Sequence, residues 1–145
     1  MANIFSKRLA AVAFLVVVAG VSAHACIFTY TLIGPDGQTG ITPGRPAEVV
    51  AGGDYRIEIA MREDHNRCLI EPEDTMFLLE EARWRVDRET QPLVLLAPIE
   101  WVHEGSRESA TTIEFRVAEA GTWTIDVIRV CTKGGYHEKL ILEAR

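Results

Sequence analysis

The chain lacks the residue spacings on which the common enzyme sites are built. There is no glycine-rich loop ending in Lys and Ser/Thr to cradle phosphates, no Gly-x-Ser-x-Gly nucleophile elbow and no His-Glu-x-x-His pair. Beyond residue 25 the only serines are Ser106 and Ser109. His103 lies three residues before Ser106, but both fall in the polar turn "EGSRES", which reads as a solvated hairpin tip with no buried group to orient a triad. Cysteine pairs separated by two residues are absent, which removes the strong signal for zinc ribbons, thioredoxin-type redox sites and haem attachment. Beyond residue 25 lysine and arginine are interspersed with acids, as in "EEARWRVDRE", which makes nucleic acid and anionic membranes poor partners.

Long apolar runs are scarce too. The single one, 9–21, spans thirteen residues, follows Lys7 and Arg8 and runs into Ser22-Ala23-His24-Ala25. It is shorter than the roughly 20 residues a membrane-spanning helix needs, and its three-part pattern is that of a secretory signal peptide. Cleavage after Ala25 leaves a single domain, 26–145, beginning at Cys26; cleavage after Ala23 satisfies the same small-residue rule and leaves His24 at the N-terminus. Losing Lys7 and Arg8 with the leader takes the formal charge from −6 to −8. The expectation is an acidic, periplasmic or secreted protein with no membrane span.

What remains is rich in β-branched and aromatic residues punctuated by turn chemistry. Segments 27–33, 54–61, 76–87, 92–103, 110–117, 122–131 and 136–144 read as strands, with "GPDG", "AEAG" and "TKGG" among the turns between them. Segment 37–46, "GQTGITPGRP", reads as a loop, Pro98 breaks 92–103, and 76–87 has a helix-like composition but an alternation that favours strand. About seven strands without a long helix predict an all-β, antiparallel β-sandwich. The three tryptophans, Trp84, Trp101 and Trp123, lie within strand patterns and are expected to pack in the core with a polar partner for each N–H.

Cys68, Trp84, Cys131, the "AGTW" stretch opening 122–131 and the last hairpin together resemble immunoglobulin-like and fibronectin-III-like domains of exported bacterial proteins. The resemblance implies an immunoglobulin-like sandwich. One departure is Arg129, which stands two residues before Cys131 where antibody domains carry tyrosine.

Antiparallel order puts the start of the first strand and the loops near 62–75, 103–109 and 131–136 at one end of the sandwich. All three cysteines and all four histidines then share that end: His24, Cys26, His65, Cys68, His103, Cys131 and His137. In an oxidising compartment Cys68 and Cys131 are the expected disulfide, closing a long loop worth on the order of 3–4 kcal/mol and leaving Cys26 as a free thiol or lipid anchor; Cys26 with Cys68 or with Cys131 are the alternative pairings. The competing reading assigns these thiols and imidazoles to copper or zinc, or to thiol redox chemistry, and an N-terminal His24 adds an amine to the copper option. The acids of 63–74 lack the regular alternation of a calcium loop and read as solvated. The pattern points to a non-enzymatic binding module engaging a protein or small ligand through the cysteine-bearing end, with metal handling or thiol redox as the alternative.

Overall fold

The computed structural model describes residues 26–65, 68–86, 90–131 and 134–145. Residues 1–25, His24 among them, lie outside these. Among the described residues no helix is long and apolar enough to cross a membrane.

The longest strands follow from alternation. In β4 (Asp54–Glu63), Tyr55, Ile57, Ile59 and Met61 point inward while Arg56, Glu58 and Arg62 face water; β9 (Glu108–Val117) does the same with Ser109, Thr111, Ile113, Phe115 and Val117. β1 (Cys26–Gly34) pairs antiparallel with β4, and β4 with β9. At the edges of this sheet, β2 (Gly37–Ile41) pairs with β1, while β7 (Leu93–Leu95) and β8 (Trp101–His103) pair with β9. The second sheet has the order β3 (Pro46–Val49), β11 (Tyr136–Ala144), β10 (Gly121–Arg129), β5 (Met76–Leu79), β6 (Ala82–Arg83). All pairings are antiparallel except that of β3 with β11.

The two sheets close on one continuous core. Ile57, Ile113 and Phe115 from the first sheet meet Ile125, Val127, Leu140 and Leu142 from the second, all fully buried. Trp84 tilts against Phe115 and donates its N–H to the Leu93 carbonyl at 2.8 Å. Trp123, half-buried, donates to the Glu119 carbonyl, and Trp101 stacks on Phe77. The chain is an all-β, mostly antiparallel β-sandwich, as its alternation predicts.

Its strands are more numerous and shorter than that alternation suggests. Segment 37–41 pairs with β1 instead of looping freely, because an edge strand needs only one buried residue, Ile41, to be worth pairing. The span 76–87 is no single strand: Glu80 and Glu81 take positive φ (47° and 66°) and fold it into the hairpin β5–β6. Segment 92–103 divides into β7 and β8 around Pro98, the break that the sequence itself marks.

A Cys–His–Arg cluster as candidate functional site

At the end where β1 begins, the inward positions stop being apolar. On β1 the inward series Leu32, Tyr30, Phe28 ends in Cys26; on β4 it ends in Glu63, directly across the pairing from Cys26; on β10 Ile125 and Val127 are followed by Arg129. Arg129 and Cys26 are each only 1 % exposed. The layer beneath is aromatic: Tyr30 and Tyr136 share a hydrogen bond between their hydroxyls at 2.9 Å, and Phe28 stacks on Tyr136.

Arg129 organises this end. Its guanidinium donates to the carbonyls of Ile70 and Glu71, to Glu63 Oε1 at 3.4 Å and to Cys68 Sγ at 3.4 Å, so a single buried cation pins the 64–75 loop and touches a thiol. Glu63 is itself largely buried and balances the charge. Burial disfavours the charged guanidinium, but hydrogen bonds and charge interactions with Cys68 and Cys26 outweigh it and raise its pKa. Arg129 Nε has no hydrogen-bond partner among the described residues. Burial pushes the Cys26 thiol up, against the opposing pull of Arg129, so Cys26 stays protonated at neutral pH.

The remaining functional groups lie nearer solvent. His65 Nε2 is 3.3 Å from Cys131 Sγ, and the ligand atoms of His65, Cys68 and Cys131 all lie within 4.8 Å of one another, each residue half-buried. Cys131 is placed by the glycine turn that follows: Gly134 and Gly135 take positive φ (127° and 68°), and a Cβ on Gly135 would stand 3.0 Å from the Arg129 carbonyl oxygen. On the other flank, one turn of 3-10 helix (Pro72–Asp74), with Pro72 buried, closes the loop that carries Cys68.

The structure therefore brings together four of the seven residues that the sequence groups at this end. Cys26 and Cys68 interact with Arg129, and His65 and Cys131 gather beside Cys68. His103 instead contacts Ser109 Oγ and Glu73, each at 3.4 Å, and the group Glu71, Glu73, His103 is exposed. His137 lies on the outer face of the second sheet, 2.7 Å from Asp126. His24 falls outside the described residues. Among the described residues no Cys68–Cys131 bond is formed.

Sequence patterning overlooked Arg129 and Glu63 as functional. The signal was present in the parity of the strands, since both continue an inward-facing series. Elsewhere, an open cavity of about 270 Å³ at the opposite end is lined by Gly34, Val49, Tyr55 and Arg145, away from every thiol. The chain matches no protein-family model, no curated protein and no solved structure.

Proposed function

We propose that this is an exported, immunoglobulin-like β-sandwich that binds one zinc or copper(I) ion through His65, Cys68 and Cys131. The observation that carries the reading is the convergence of two thiols and an imidazole within 4.8 Å on a half-buried surface. Two ligands at about 2.3 and 2.0–2.1 Å from a tetrahedral ion stand about 3.5 Å apart, close to the 3.3 Å between Cys131 Sγ and His65 Nε2. Thiolate and imidazole are the donors that soft and borderline ions select. Charge balance favours zinc: Arg129 and Glu63 neutralise each other, so two thiolates require a divalent ion to leave no net charge. The Arg129 contact to Cys68 then orients a ligand from behind, as outer partners do in metal sites. Export, to the periplasm or beyond, rests on the leader at 1–25.

Titration of the reduced protein with zinc should give one equivalent bound. Cys131→Ser or His65→Ala should each weaken binding by more than the 10- to 100-fold typical of losing an outer partner, while His103→Ala leaves it unchanged. Binding that ignores Cys131 and His65 would sink the reading.

A second reading, a module that docks a protein or small ligand at the same end, draws on two exposed apolar side chains beside the thiols: Leu69, 88 % exposed, and Val130, 67 % exposed. Such a module keeps its function when His65, His103 and His137 become Ala; a metal protein does not.

A further inference from the structure

We infer that the oxidation state of Cys68 and Cys131 gates the metal site: as a dithiol the pair holds the ion with His65, and as a Cys68–Cys131 disulfide it releases it. The inference rests on the metal-binding reading above. Its basis is the division of the three thiols into two kinds. Cys68 and Cys131 are half-buried, within 4.8 Å of each other and carried by separate loops; Cys26 is sealed beneath the guanidinium of Arg129 at 1 % exposure. Only the first two are open to an oxidant.

A disulfide needs its sulfurs about 2.0 Å apart, so closing the pair takes a movement of no more than about 3 Å. Both cysteines lie outside the paired strands, so the movement falls on side chains and loops. Arg129 holds the Cys68 loop through the backbone carbonyls of Ile70 and Glu71, contacts that do not depend on the state of the sulfur. The loop therefore stays docked in both states.

The zinc-bound thiolates of Cys68 and Cys131 are the nucleophiles, and the exchange is written with Cys131 attacking first. The oxidant is a disulfide of the form RSSR. Cys131 thiolate attacks one of its sulfurs and expels RS⁻, giving a mixed disulfide; Cys68 thiolate then attacks Cys131 Sγ and expels the second RS⁻. Two electrons pass from the cysteine pair to RSSR. Zinc leaves as Zn²⁺ with its charge unchanged, and the two negative charges depart on the two RS⁻.

The test uses the reduced full chain loaded with one equivalent of zinc and titrated with oxidised glutathione under anaerobic conditions. Zinc release is followed with a chromogenic chelator, and disulfides are mapped by alkylation and mass spectrometry. The expected result is one zinc released per disulfide, with that disulfide mapped to Cys68–Cys131 and zinc binding restored by dithiothreitol. Cys26→Ser and Cys26→Ala should behave like the parent. Zinc retained after the disulfide has formed, zinc lost without a disulfide, or a disulfide that includes Cys26 overturns the gate and leaves metal binding standing. Failure of the reduced chain to bind zinc at all overturns both.

Discussion

Midway along the sandwich, β4, β9, β10 and β11 bury Ile57, Ile113, Phe115, Val127 and Leu140 against one another, while toward the end where β1 begins the inward positions hold Cys26, Glu63 and Arg129. Both regions are largely buried, and both continue the same inward series. In the first, burial removes apolar surface from water, which stabilises the fold. In the second it strips water from charges and thiols, which is tolerable only because Arg129, Glu63 and two loop carbonyls satisfy one another. Burial by itself thus does not separate scaffold from site; the chemistry of what is buried does.

Substitutions that unfold the two regions equally, yet differ in their effect on the metal, are the sharpest way to break this comparison. Phe115→Ala should cost about 3–5 kcal/mol of unfolding free energy while the folded protein keeps its zinc affinity. Arg129→Ala, which strands a buried carboxylate and two carbonyls, should cost a similar 3–5 kcal/mol and also weaken zinc binding. Urea unfolding and zinc titration on both variants check this; an Arg129→Ala protein with unaltered zinc affinity would reduce the cluster to a scaffold.

Alkaline pH should attack the end of the sandwich first. Burial raises the phenol of Tyr136 to about 12, burial raises that of Tyr30 further, and burial raises the Cys26 thiol above its ordinary value. A group whose folded-state pKa lies above its unfolded value lends stability that is complete below the unfolded pKa and is lost as pH rises toward the folded one. Stability should therefore hold at neutral pH, begin to fall near 9 as unfolded Cys26 ionises, and fall more steeply above 10. Unfolding followed across this range should show Tyr136→Phe with a shallower decline; an identical decline would mean that the Tyr30–Tyr136 pair does not govern it.

Smaller effects should come from the core margin and the surface. Trp84→Phe removes the hydrogen bond to Leu93 and one ring of a buried indole, at about 2 kcal/mol in urea unfolding. Asp54→Asn breaks a two-bond pair with Arg116 that lies wholly in water, and the unfolding midpoint should stay where it is.

The strand pattern and the pole shared by the thiols were legible because alternation and turn chemistry are local. Tyr55, Ile57 and Ile59 announce β4 without help from the rest of the chain. The break at Glu80–Glu81 was not legible, since positive φ is usually signalled by glycine or asparagine and here two glutamates adopt it. Nor was the removal of His137 from the cluster, which turns on facing: it shares the pole in sequence, but its neighbours across β10 put it on the outer face beside Asp126. Arg129 was visible only as a departure from the tyrosine of antibody domains. Its role depends on Glu63 and on the 64–75 loop, partners about sixty residues away that no local pattern supplies.

X-ray absorption at the zinc edge, on the reduced protein loaded with one equivalent, tests the central claim most directly. The account predicts two sulfur scatterers at about 2.3 Å and a histidine nitrogen at about 2.0–2.1 Å. A first shell of oxygen and nitrogen without sulfur would contradict it and place the ion elsewhere on the protein.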